Sequence, residues 1–127
     1  MQLPKALIGS VAVLFLGVAL GYLIWKNATT PGVYDAFAIC LKDKGFTFYG
    51  AYWCPHCTAQ KKMFGASAKH LPYVECAIPG SQQLTQRCQE KNIKGFPTWI
   101  GPGDVVRSGE VALTDLAEWS GCAIPAP

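Results

Sequence analysis

The sequence contains one uncharged run, residues 6–25, that divides the chain into two parts of different composition. Sixteen of its twenty residues are apolar, and Lys5 and Lys26 stand at its ends. Twenty helical residues span about 30 Å, the thickness of the hydrocarbon core of a bilayer. We therefore predict an N-terminal transmembrane helix, with residues 1–26 as a membrane anchor. A cleaved signal peptide is the alternative, but its apolar region is shorter, about 7 to 15 residues, and ends at a small-residue site.

The rest of the chain has the composition of a small soluble domain. Outside the run, 48 of 107 residues are apolar, which excludes a polytopic membrane protein, a disordered chain and a large multidomain enzyme. After Lys26, nine Lys and Arg residues stand against eight Asp and Glu residues, without a basic run, so we expect no nucleic-acid partner. We predict a linker at 27–33 and one domain at 34–127.

All six cysteines lie in this predicted domain, at positions 40, 54, 57, 76, 88 and 122. An even and dense set of cysteines in a small domain is typical of an oxidising compartment. We therefore expect the domain on the extracytoplasmic side of a membrane.

The pattern of apolar residues predicts an α/β fold. Helices are expected at 34–44, 54–64, 81–91 and 113–119, and strands at 46–53, 72–77, 98–100 and 105–107. Pro55 suits the first turn of the second helix, and Gly65 suits its end. This order of elements predicts a mixed sheet with helices on both faces.

Two thiols lie three residues apart in the sequence Trp53-Cys54-Pro55-His56-Cys57, where a strand is expected to give way to a helix. At this spacing they share one face of the first helical turn and can form a disulfide. The free N–H groups at the helix start favour a thiolate at Cys54, which we assign as the nucleophile. Cys57 is then the resolving thiol that attacks a mixed disulfide.

His56 lies between the two cysteines. When protonated, its imidazole stabilises a nearby thiolate, and stabilising the reduced form makes a dithiol pair more oxidising. We therefore assign His56 to the catalytic set; the alternative is an exposed histidine without a role in the chemistry.

Several separated motifs resemble the thioredoxin-like domain found with bacterial vitamin K epoxide reductase homologues. They occur in the expected order between Ala36 and Cys122 and comprise residues 48–57, 60–65, 73–76, 96–99 and 116–121. The resemblance implies a thioredoxin-like fold in which Pro97 follows a cis peptide bond and packs opposite the active cysteines. It also implies that Phe96 offers backbone groups to a substrate, and we assign Phe96 and Trp53 to substrate binding.

Two features depart from that family. Thioredoxins carry a buried acid six residues before the first active cysteine, and this chain has Phe48 there, which leaves the proton-transfer role of that acid unfilled. The quinone-reducing membrane bundle that some relatives carry on the same chain is absent from this sequence. The resemblance therefore implies a separate vitamin K epoxide reductase-like oxidase as the partner.

The four remaining cysteines allow three pairings. We choose Cys40 with Cys122 and Cys76 with Cys88 as structural disulfides, because each joins elements that are expected to be adjacent. The alternative makes Cys76 and Cys88 a second redox pair that relays electrons.

These residues predict a membrane-anchored thiol–disulfide oxidoreductase that forms disulfides in exported proteins. It needs no cofactor of its own, since a quinone takes part only through the membrane oxidase. The first alternative is a membrane-tethered reductase with the opposite electron flow. The second is a metal-binding protein without catalysis, but the cysteine and histidine spacings fit neither a zinc ribbon nor a copper site, so we expect no metal.

Overall fold

A computed structural model describes residues 5–126, and this part of the chain divides into two compact units. Residues up to Thr30 form one unit, and residues from Pro31 onward form the other. The first unit is helix α1 (Lys5–Thr29). Because α1 continues to Thr29, it includes the first residues of the predicted linker at 27–33.

The prediction of a transmembrane helix is wrong. Within residues 5–126, no helix combines the length and the apolar character that a membrane span requires. The fold class is therefore corrected to the α/β domain alone.

The second unit alternates helices and strands. It contains, in chain order, α2 (Asp35–Asp43), β1 (Thr47–Gly50), α3 (Pro55–Phe64), β2 (Tyr73–Glu75), α4 (Gln86–Glu90), β3 (Thr98–Gly101), β4 (Val105–Ser108) and α5 (Leu113–Ser120). Short 3-10 turns follow α3 and β3.

The four strands form one mixed sheet in the order β2-β1-β3-β4. β1 and β2 are parallel, whereas β3 runs antiparallel to both β1 and β4. In this register Phe48 lies opposite Trp99, and their rings stack with centroids 4.9 Å apart. The mixed α/β architecture is compatible with a thioredoxin-like fold.

Side chains alternate along each strand, so each face of the sheet carries its own cluster of buried residues. One face carries Phe48 and Trp99 and packs against buried residues of α2, α3 and α5. The other face carries Tyr49 and Ile100 in a smaller cluster with Cys76 and Cys88. The larger layer contains the residues that begin α3.

Two disulfides tie the unit together. Cys40 of α2 is joined to Cys122, which follows α5, and closes a loop with a sequence separation of 82. Cys76, just after β2, is joined to Cys88 of α4 across a separation of 12. These are the pairs chosen from the sequence.

Three elements, β1, β2 and α4, are about half as long as the sequence predicts. β1 ends at Gly50 because the chain turns there, and the Cys54 N–H donates to the Ala51 carbonyl at 3.0 Å. α4 begins only at Gln86, because the residues before it pair with the chain after β2. There the Thr85 N–H donates to the Cys76 carbonyl at 2.9 Å.

Candidate active site

The candidate site lies where β1 gives way to α3. Cys54 is the N-cap residue of α3 and has extended backbone geometry, and Pro55 occupies the first turn. Proline suits this position, since its missing N–H is not needed there. The Cys57 N–H donates to Cys54 Sγ at 3.2 Å, so the sulfur caps the helix as a serine oxygen does elsewhere. A thiolate accepts this bond better than a thiol.

The two cysteines differ in their surroundings. Both are buried, and both are free thiols, whereas the other four cysteines form disulfides. Burial raises the pKa of Cys57 to about 12, and its hydrogen bond with Cys54 adds to this shift. Cys57 is therefore a protonated thiol at neutral pH. This division suits an attacking Cys54 and a Cys57 that reacts only later.

The surface beside the cysteines is aromatic. Trp53 is 61% exposed, and its ring contacts that of Phe96 edge to face, with centroids 5.9 Å apart. The Phe96–Pro97 peptide bond is cis, as the resemblance implies, and Pro97 is fully buried. The structure thus brings together Trp53 and Phe96, the two residues assigned to substrate binding.

His56 points to a partner that the sequence did not predict. Its Nδ1 lies 2.6 Å from Oε1 of Glu110, a residue between β4 and α5. A contact this short between an imidazole and a carboxylate is typical of a charge-assisted hydrogen bond. Glu110 therefore fixes the imidazole of the Cys54-Pro-His-Cys57 motif. No local pattern could have identified it, because 54 residues separate the two in sequence.

Gln60 is a second residue whose contacts the sequence did not predict. Its side chain is fully buried on α3. The amide oxygen accepts from the Val111 N–H at 2.7 Å and from Trp99 Nε1 at 3.3 Å, and the amide nitrogen donates to the Val111 carbonyl at 3.0 Å. Gln60 thereby fastens α3 to the sheet and to the residue that follows Glu110.

Two further predictions concern the Cys76–Cys88 disulfide and a metal site. The disulfide of Cys76 and Cys88 belongs to the cluster on the opposite face of the sheet. Over residues 5–126, no group of three His, Cys, Asp or Glu side chains is placed to hold a metal ion. Cys54 and Cys57 supply two free thiols to the site.

The chain is similar to a protein whose name states an activity. It is 46% identical over 93 residues to the protein named Thiol-disulfide oxidoreductase LTO1 of Arabidopsis thaliana, a match that covers 70% of this chain. The chain spans about a quarter of the length of that relative, 24%. No family model matches the chain. The similarity and the mixed sheet with its helices fit a thioredoxin-like domain, and they support the prediction of a thiol–disulfide oxidoreductase.

Proposed function

We propose that the protein catalyses thiol–disulfide exchange at Cys54 and Cys57 and acts as an oxidant that forms disulfides in exported proteins. The Cys54 thiolate, or the disulfide that it makes with Cys57, exchanges with a sulfur of the partner. Two electrons and two protons pass from a substrate dithiol to the Cys54–Cys57 disulfide. The proposal requires no bound cofactor.

The observation that carries this proposal is the asymmetry of the two thiols. Cys54 caps a helix and accepts an N–H bond at its sulfur, whereas Cys57 is buried with a raised pKa. Exchange needs one sulfur that reacts first and one that resolves the mixed disulfide. A purely structural disulfide needs no such difference.

The direction of electron flow follows from which redox form is stabilised. The N–H bond to Cys54 Sγ and the start of α3 both stabilise a thiolate, which exists only in the reduced form. Stabilising the reduced form raises the reduction potential of the pair. The geometry therefore supports an oxidant, and the reductase is the alternative outcome of the tests below.

An oxidant must itself be reoxidised. The motifs resemble a domain found with vitamin K epoxide reductase homologues, which supports a quinone-linked oxidase of that kind as the partner. The two disulfides outside the site support an oxidising compartment outside the cytosol. Partner and compartment are parts of the proposal.

A trapping experiment tests the proposal. A Cys57→Ala variant keeps the nucleophile but cannot resolve mixed disulfides, so it should remain bonded to its partners through Cys54. The full-length variant is co-expressed with a vitamin K epoxide reductase-like protein, and trapped species are identified by mass spectrometry without reductant. The matched control carries Cys54→Ala as well.

We expect mixed disulfides with the oxidase and with exported thiol proteins, and none in the double variant. Trapping of reduction targets alone, such as cytochrome precursors, would favour the reductase. If Cys57→Ala gave no mixed disulfide with any protein, the proposal of an exchange catalyst would be wrong.

A further inference from the structure

A buried Cys57 poses a chemical problem for the function proposed above. To close the Cys54–Cys57 disulfide, Cys57 must lose its proton, yet burial disfavours its thiolate. The acid that serves this purpose in thioredoxins is replaced by Phe48, which is fully buried between the rings of Trp99 and Tyr73. A proton acceptor must lie elsewhere around Cys57.

The backbone of Gly50 brings Tyr73 close to Cys57. A Cβ built on Gly50 would lie 3.0 Å from Cys57 Sγ, 3.3 Å from the Tyr73 hydroxyl oxygen and only 2.8 Å from the edge of its ring. The sulfur and the hydroxyl are thus at most 6.3 Å apart, the sum of the first two distances. One water molecule bridges a separation of about this length.

The Tyr73 hydroxyl in turn donates to Oε2 of Glu75 at 2.7 Å. The other carboxylate oxygen of Glu75 accepts from the backbone N–H groups of Ala77 at 2.8 Å and Tyr52 at 3.2 Å. These bonds fix the carboxylate at the end of β2, beside the turn that leads into Cys54. A carboxylate is a suitable base, and its position is set by three donors.

The positive charge of Lys61 completes the cluster. Its Nζ lies 3.3 Å from the centroid of the Tyr73 ring, and its charge acts to lower the pKa of Cys57. Among the described residues, the titratable and charged groups around the buried thiol are Cys54 at the N-cap of α3, Lys61 on α3, and Tyr73 and Glu75 on β2. Among these, Glu75 is the carboxylate.

We propose that Glu75, acting through the Tyr73 hydroxyl, is the base that deprotonates Cys57 when the mixed disulfide is resolved. The Cys57 proton passes to Tyr73, whose own proton moves to Glu75. The Cys57 thiolate attacks Cys54 Sγ, the Cys54–Cys57 bond forms, and the mixed disulfide breaks as the partner sulfur leaves as a thiolate. This inference rests on the proposed exchange activity.

Oxidised glutathione separates the two steps. It reacts with Cys54 to give a glutathionylated intermediate and one glutathione, and resolution by Cys57 then releases the second. Acid quenching and mass spectrometry follow the intermediate over time in the full-length reduced protein. We expect Glu75→Gln to slow resolution by about a hundredfold or more, within the range for general bases, and to leave the first step unchanged. Tyr73→Phe, which keeps the ring beneath Lys61, should slow the same step.

Controls distinguish a base from a structural role. Glu118→Gln removes an exposed carboxylate on α5 and should leave both steps at the wild-type rate. Glu75→Asp keeps a base and should restore part of the resolution rate. In Glu75→Gln the rate should rise about tenfold per pH unit, because hydroxide replaces the missing base, whereas the wild-type profile is flatter.

Several results would overturn the inference. Resolution at the wild-type rate in Glu75→Gln excludes Glu75, and a lowered rate whose pH profile parallels the wild type assigns it a structural role only. Loss of resolution in Lys61→Met without loss in Glu75→Gln would identify the lysine instead. A wild-type protein that never forms the Cys54–Cys57 disulfide with glutathione would refute the proposed function itself, which is a different outcome.

Discussion

Replacing Gln60 by leucine removes the hydrogen bonds that fasten α3 to its surroundings. Three buried groups lose their partner: the Trp99 Nε1–H, the Val111 N–H and the Val111 carbonyl. Each unsatisfied buried group costs about 1–3 kcal/mol, while burying the leucine side chain returns about 1.5–3 kcal/mol. We expect the variant to lose about 3–5 kcal/mol of unfolding free energy, part of the 5–15 kcal/mol that is typical of a domain.

Urea unfolding followed by tryptophan fluorescence measures this loss. With an m-value of about 2 kcal/mol per molar, the midpoint should fall by about 2 M. Gln89→Leu is the matched control, because Gln89 is exposed although its side chain also donates to a carbonyl, that of Leu84 at 2.6 Å. We expect the control to stay within about 0.5 kcal/mol of the wild type. Equal losses in both variants, or a loss below about 1 kcal/mol for Gln60→Leu, would refute the reasoning.

Three further predictions concern the disulfides, the buried thiol and the surface ion pair. Replacing both Cys40 and Cys122 by alanine should lower the unfolding free energy by about 4.5 kcal/mol. Replacing both Cys76 and Cys88 should lower it by about 2.8 kcal/mol, because that disulfide closes a shorter loop. A larger loss for the shorter loop would contradict the loop-entropy argument. The folded pKa of Cys57 is raised from 9.0 to about 12, so its contribution to the stability of the reduced protein is complete below pH 9 and is lost as the pH rises toward 12. Urea midpoints should therefore fall more steeply above pH 9 in the wild type than in Cys57→Ser, and parallel curves would argue against this. Glu110→Gln should leave the unfolding free energy within about 1 kcal/mol of the wild type, because its partner His56 is 70% exposed, and urea unfolding would reveal a larger loss.

Local signals predict the centre of this fold well. The sequence after Cys54 contains signals for both ends of helix α3. Pro55 suits the first turn of a helix, and Gly65, with a φ of 55°, ends α3 where it is predicted to end. The pattern of apolar and aromatic residues likewise identifies each strand of the sheet. These features depend on neighbours in sequence, so they can be seen without the structure.

Apart from the two disulfides, features that depend on distant contacts were not predictable in this way. The bond between His56 and the Glu110 carboxylate and the bonds between Gln60 and Val111 join segments more than 50 residues apart. The predicted helix at 81–91 shortens to Gln86–Glu90 because Thr85 pairs with the backbone near Cys76 instead. The apolar run at 6–25 led to the prediction of a membrane span, but no helix in the described part of the chain has the length and apolar character that a span requires.

The reduction potential of the Cys54–Cys57 pair tests the central claim most directly. The full-length protein is equilibrated with glutathione buffers, alkylated and analysed by mass spectrometry, which separates this pair from the two other disulfides. An oxidant should titrate nearer to about −120 mV than to about −270 mV, because the helix start and the N–H bond to Cys54 stabilise the reduced form. A potential near or below about −270 mV would contradict the assignment as an oxidant and support the reductase.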